Sequence, residues 1–186
     1  ATSQEIYPHL GASSVLTPNV QWRFQSGAKV TFAHMFYEKE KYNWQGSQIP
    51  LLMFDELVHF TESQFFYMFS RNRSTCGVRP YIRATCNPDG ESWVARFIDW
   101  WIDPETGYAD ESRCGKLRYF IRRNNIIHWA DTPQQLYEEF HLYSPEEMEE
   151  VKSVSFISAK LTDNAAMMKH DPGYIGALKA MSEFDQ

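Results

Sequence analysis

Residues 49–54 read Ile-Pro-Leu-Leu-Met-Phe, six positions without a polar side chain, and Asp55 and Glu56 follow at once. Such continuity suggests a central strand covered on both faces, because the strands of parallel sheets are uninterrupted apolar runs rather than alternating ones. In such sheets ligands bind beyond the carboxyl ends of the strands. The two acids therefore stand where an α/β sheet carries its chemistry.

The next segments support that reading. Thr61 and Gln64 have capping-box spacing, with Phe60 and Phe65 placed as a hydrophobic staple, so a helix is predicted to start near Thr61. Phe65, Phe66 and Phe69 give it an apolar face, and Arg71 and Arg73 fall in its expected last turn, where cations complement the helix dipole. Residues 81–86 are β-prone and run into Asn-Pro-Asp-Gly, a turn sequence. Upstream, Val20, Trp22 and Phe24 alternate with polar residues, as do Ala28, Val30 and Phe32, which predicts a β-hairpin. Residues 35–48 read as connection or short helix. Downstream, residues 93–103 are expected to be helical, and 116–123, 125–130 and 153–159 to be strands. Thr132-Pro133 and Ser144-Pro145 are helix starts, and residues 171–181 suggest a terminal helix capped by Asp171, with Tyr174, Ile175, Leu178 and Met181 facing inward. Strands and helices in alternation, with polar loops after the strands, favour an α/β fold.

Composition bounds the function. With 186 residues, 43% hydrophobic and 16% aromatic, the chain can bury a core of one domain or one and a half. A net charge of −6 argues against a freestanding nucleic-acid binder, so any DNA contact must be local or shared between subunits. Three widely spaced cysteines signal neither a disulfide framework nor a zinc site. No apolar run approaches a membrane span, and the first residues lack a signal peptide's regions, so the expectation is a soluble protein in a reducing cytosol.

Two acids at a strand end suit metal-assisted phosphoryl chemistry, one holding Mg²⁺ or its waters and the other activating water. The dipeptide alone equally begins a solvated loop before a helix. Thr85 and Asn87, at the end of the second strand, would add a hydroxyl and a carboxamide beside the acids, suited to sensing a terminal phosphate.

The stretch YNWQGSQIPLLMFDELVHFTESQFFYMFSRNRS, followed by RPYIRATCNPDG, is similar to the ATPase domain of tailed-phage terminase large subunits, the DNA-packaging motors. The resemblance includes Gln45-Gly46 ahead of the run, FDEL as the end of a Walker B strand, the helix after it and ATCNP as a coupling motif. Residues 153–181 resemble the segment that leaves the ATPase core as a lid or linker towards a nuclease domain. The resemblance implies a P-loop NTPase-like sheet flanked by helices, with residues 1–152 as a partial ATPase core and 153–186 as lid or linker. Asp55 would be the Mg²⁺-associated acid, Glu56 the base and Thr85 with Asn87 the coupling pair. ATP and Mg²⁺ would be bound, and the partners would be double-stranded DNA, a portal protein, a small terminase subunit and further copies of the chain. The setting implied is the host cytoplasm, transiently at the procapsid portal.

One departure stands out. The phosphate-cradling GxxxxGK[ST] occurs nowhere in the sequence, so the chain is expected to be truncated at its start and to hydrolyse ATP negligibly by itself. Arg71 and Arg73 are candidates for a nucleotide or subunit contact, or simply helix-end cations. Arg122 and Arg123, in the most basic segment, are candidates for DNA phosphate contact, or else a solvated strand face. His59 lacks a second ligand at useful spacing and is left out of the site. Trp93, Phe97, Trp100 and Trp101 read as core or as a docking surface, and Asp163-Asn164 as a lid feature or a helix cap. The rival functions are a two-metal nuclease using Asp55 and Glu56, and a nonenzymatic module derived from an NTPase.

Overall fold

The computed structural model describes residues 2–16, 20–87, 90–160, 163–170, 173 and 176. The chain divides into two units, Ala1–Arg96 and Phe97–Gln186. It mixes helices with three small sheets.

The first unit opens with α1 (Thr2–Ile6) and a 3-10 turn, Tyr7–Leu10, that Gly11 ends in the left-handed region at φ 73°. Three antiparallel strands follow: β1 (Ser13–Val15), β2 (Gln21–Arg23) and β3 (Lys29–Thr31). The expected hairpin is β2–β3, in register Trp22 to Val30. Strand β1 is too short to show a period and has no counterpart in the sequence pattern. Trp22 is buried, and Tyr7 packs edge-on against it and against Phe24, with centroids 5.5 and 5.6 Å apart. The connection expected over 35–48 contains a 3-10 helix, Glu38–Trp44.

The apolar run forms β4 (Leu51–Phe54), which pairs in parallel with β5 (Tyr81–Ala84). Between them lies α2 (Glu62–Phe69), capped as its sequence predicts: Gln64 N donates to Thr61 Oγ1 at 3.0 Å and Thr61 N to Gln64 Oε1 at 2.9 Å. Phe60 and Phe65 both pack against Phe54. Two expectations are corrected. Strand β4 is not covered on both faces: Leu52 and Phe54 are buried, but Leu51 is 40% and Met53 73% exposed. The strand pleat sends alternate side chains to opposite faces, and α2 packs on the Phe54 side through Phe65. Arg71 and Arg73 lie beyond α2, which ends at Phe69 with Ser70 as its cap.

Polar side chains tie this unit together. Gln64 is 1% exposed, and its Nε2 donates to the carbonyls of Met35 and Tyr37, both at 3.2 Å. Buried Lys41 donates to Glu38 and Ser63, and the Thr61 hydroxyl donates to Glu38. One carboxylate thus anchors the 3-10 helix to the first turn of α2. Asn72 Nδ2 reaches the carbonyls of Ile49, Pro50 and Tyr81 at 2.9, 3.1 and 3.2 Å, joining the starts of β4 and β5.

The helix α3 (Trp93–Ile98) crosses the division between the units. The second unit contains the 3-10 turn Asp99–Trp101, β6 (Leu117–Arg123), β7 (Ile126–Ala130), α4 (Pro133–Glu139), α5 (Pro145–Met148), β8 (Lys152–Ser155) and α6 (Ala165–His170). Its sheet is antiparallel, in the order β7-β6-β8. Strand β6 is covered on both faces. Phe120 meets Phe97 and Trp129, while Ile121 joins Leu136, Leu142 and Ala130 in a separate cluster. Asn124 and Asn125 turn β6 into β7, both at positive φ, as a two-residue hairpin of this twist requires. Helices start at Pro133 and Pro145 as expected, and Ser144 Oγ accepts from Glu147 N at 3.2 Å.

The expected α/β character is therefore present. The expected sheet flanked by helices is not seen as one sheet: the described strands make three, and only β4–β5 is parallel. Residues 152 and 153, where core and lid were expected to divide, both lie in β8. Apart from Gly173 and Gly176, the terminal helix expected over 171–181 lies outside the described residues, as do Pro88 and Asp89 of the expected turn.

Hydrogen bonds from Lys41, then from Thr61 and Ser63, hold the Glu38 carboxyl from its ordinary 4.5 down to about 2. A depressed acid stabilises the folded state above its unfolded value, and that contribution is lost as pH falls towards the folded one. The urea midpoint of the parent chain should therefore exceed that of Glu38→Gln near neutrality, and the difference should shrink between pH 4.5 and about 2.

Candidate active site

The register of β4 and β5 builds the site. Leu51 pairs with Tyr81 and Phe54 with Ala84, so Asp55 and Thr85 leave their strands side by side. Backbone bonds continue past the ladder: Thr85 N donates to Phe54 O at 3.0 Å and Leu57 N to Thr85 O at 2.8 Å. The Thr85 hydroxyl donates to Asp55 Oδ1 at 2.9 Å and accepts the backbone N–H of Glu56 at 3.1 Å.

Glu56 sits in the left-handed region, at φ 52° and ψ 67°. A residue with a Cβ is disfavoured there by about 1–2 kcal/mol, and such conformations persist where surrounding bonds over-determine them, often at functional sites. The backbone then turns through the 3-10 segment Leu57–His59, whose Leu57 is buried. Asp55 and Glu56 are exposed at the rim. Cys86, next to Thr85, has its thiol pushed up first by burial and then by the negative charge of Glu56.

Asp55, Glu56 and Thr85 are thus brought together. Asn87 is exposed, two residues past Thr85 on the segment leaving β5. Arg71 and Arg73 stand at the opposite end of β4. The carbonyl of Arg71 accepts from Ile49 N at 3.0 Å, its guanidinium bonds Ser70 Oγ and lies 5.2 Å from the Tyr67 ring centre, and Arg73 reaches Ser47 O at 3.3 Å. The four residues of β4, about 13 Å of strand, separate them from the acids. Asn72, which aligns the strand starts, escaped the sequence reading because a mid-segment Asn beside two arginines has no distinctive pattern.

In the second unit Arg123 forms an ion pair with Glu150, both partners partly exposed, and Arg122 lies on the Phe120 face of β6. Arg118 pairs with Asp131 at 3.1 Å and lies over Trp100 at 4.7 Å. Of the aromatic residues expected as core or docking surface, Trp100 and Trp101 pack edge-on with ring centres 5.3 Å apart. Trp93 packs on Phe65 and Phe66 and donates to Phe60 O at 2.7 Å, whereas Trp101 is buried against Trp129. His59 is exposed, and Asp163 accepts from Lys160 N at 2.7 Å as a turn cap.

The donor set at the rim is two exposed carboxylates and a hydroxyl. Oxygen donors suit Mg²⁺, which commonly takes one or two carboxylates together with substrate phosphates. Among the described residues no group of three or more His, Cys, Asp or Glu is placed to hold a metal. The rim thus offers oxygen donors of the type Mg²⁺ takes, and the larger acid set of a two-metal nuclease is not found among these residues.

The site is thus a parallel strand–helix–strand unit whose carboxyl rim carries Asp55 bonded to the Thr85 hydroxyl, with the Glu56 backbone N–H on the same oxygen. The sequence matches, over residues 5–186, the family model described as terminase large subunit, T4-like-virus type, N-terminal. The chain belongs to this family. No curated protein and no solved structure matches it. Membership supports a role in phage DNA packaging, with DNA and packaging proteins as partners in general and an enzyme as the intact protein. Among the described residues no helix is long and apolar enough to cross a membrane.

Because the left-handed turn is strained for any residue with a Cβ, Glu56→Gly should unfold at higher urea than Glu56→Val, by about 1 kcal/mol or more of stability. Equal stabilities would mean that the turn relaxes freely.

Proposed function

We propose that the chain is part of the ATPase motor of a phage or prophage terminase large subunit, coupling ATP hydrolysis to packaging of double-stranded DNA into procapsids. The observation that carries this reading is the hydrogen-bonded rim, in which two parallel strands hold Asp55, Glu56 and Thr85 together. The parallel β4-α2-β5 unit is what a P-loop NTPase-like sheet would contribute, with the FDEL stretch as Walker B.

Magnesium, bound with the nucleotide, would neutralise charge on the phosphate oxygens. Asp55 would hold that ion or its water. Glu56 would take a proton from the attacking water, the role of a positioned general base. Thr85 and Asn87 form the coupling pair, registering loss of the terminal phosphate at the end of β5. Residues 153–186 serve as lid or linker beside a core at 1–152. In this reading these 186 residues supply the Walker B and coupling elements, and the phosphate-cradling motif is absent from them. Portal protein, small terminase subunit and further copies of the chain complete the motor, which works in the host cytoplasm at the procapsid portal.

In this reading Arg71 and Arg73, remote from the acids, face a neighbouring subunit, and Arg122 and Arg123 contact DNA phosphates. Steady-state hydrolysis by the intact large subunit tests the core claim. Glu56→Gln should reduce kcat by about a hundredfold or more, Asp55→Asn should raise the Mg²⁺ requirement, and the 186-residue chain alone should be nearly inactive. Turnover indifferent to Glu56 would refute the assignment. For DNA, replacing Arg122 and Arg123 with Gln should flatten the salt dependence of binding by about 0.9 in log–log slope for each phosphate that is no longer neutralised.

A further inference from the structure

Glu56 adopts a backbone state that Gly or Asn takes more readily, so something other than its own preference must hold it there. Both amides that define the turn end on one residue. Glu56 N–H bonds the Thr85 hydroxyl at 3.1 Å, and Leu57 N–H bonds the Thr85 carbonyl at 2.8 Å. The same hydroxyl spends its hydrogen on Asp55 Oδ1 at 2.9 Å.

A hydroxyl has one hydrogen and two lone pairs. With its hydrogen on Asp55 and a lone pair on Glu56, Thr85 has no donor left for a phosphate oxygen. The carboxamide of Asn87, two residues on and exposed, carries two N–H donors. We propose that Thr85 is a positioning residue and not a phosphate contact: its hydroxyl fixes the Glu56 turn and the Asp55 carboxylate relative to each other, and the phosphate-sensing role falls to Asn87. This rests on the ATPase reading above and divides a pair of roles within it.

Thr85→Val keeps the shape but removes both side-chain bonds, and Thr85→Ser keeps both. By amide exchange on the 186-residue chain, the Glu56 amide should exchange about tenfold faster in Thr85→Val and return to its original rate in Thr85→Ser. The Leu57 amide, held by a backbone carbonyl, should change less. In the intact large subunit, Thr85→Val should lower kcat by roughly tenfold or more with KM for Mg-ATP nearly unchanged, Thr85→Ser should recover most of the rate, and Asn87→Ala should raise KM. Unchanged Glu56 exchange in Thr85→Val, a raised KM with unaltered kcat, or failure of Ser to rescue would each overturn the assignment. Unmodified enzyme without Glu56-dependent turnover would remove the ATPase reading itself, an outcome visible before any Thr85 variant is compared.

Discussion

Parallel pairing is the constraint on which the candidate site depends. Two strands running the same way cannot be joined by a tight turn, so the chain must cross over, and here it does so through α2. Their carboxyl ends consequently meet at one rim. The register then decides which side chains meet, because a slip of one residue would reverse the face of every side chain on β4. With Phe54 opposite Ala84, Asp55 and Thr85 emerge together and the Thr85 hydroxyl can bridge to the acid.

Burial of Leu52 and Phe54, with Phe54 packed on Phe65 of α2, opposes such a slip, because it would exchange them for Leu51 and Met53. Hydrogen bonds fix the two ends. Asn72 pins the amino ends of both strands through three carbonyls, and Thr85 pins the carboxyl ends. Gln64 meets the cost of its burial by satisfying both Thr61 and the 35–37 backbone. The left-handed Glu56 turn is thus held by two bonds to Thr85.

Local signals in the sequence were legible where a few adjacent residues suffice. The capping box at Thr61 depends on a side chain three residues away and forms, and helices start where Thr132-Pro133 and Ser144-Pro145 signal them. The acid pair and Thr85 could be recognised because strand ends are marked by polar residues after apolar ones. Coverage of a strand was not legible. The run at 49–54 looks buried on both faces yet exposes Leu51 and Met53, while β6, whose Arg118, Arg122 and Arg123 make it look solvated, buries Phe120 and Ile121 on opposite faces. Coverage depends on which distant elements pack above and below, and no local pattern encodes that.

By itself the sequence determined the family, the start of α2, the alternation of strands and helices, and the placing of the acid pair and Thr85 at strand ends, because each is written in side-chain type and short spacing. Only the tertiary structure decided that Thr85 bonds Asp55 and the Glu56 amide, that Glu56 is left-handed, and that Arg71 and Arg73 lie at the far end of β4. Those facts come from pairing between segments about thirty residues apart. Such contacts are fixed by geometry in three dimensions, where loop closure and packing choose among registers that the sequence leaves open.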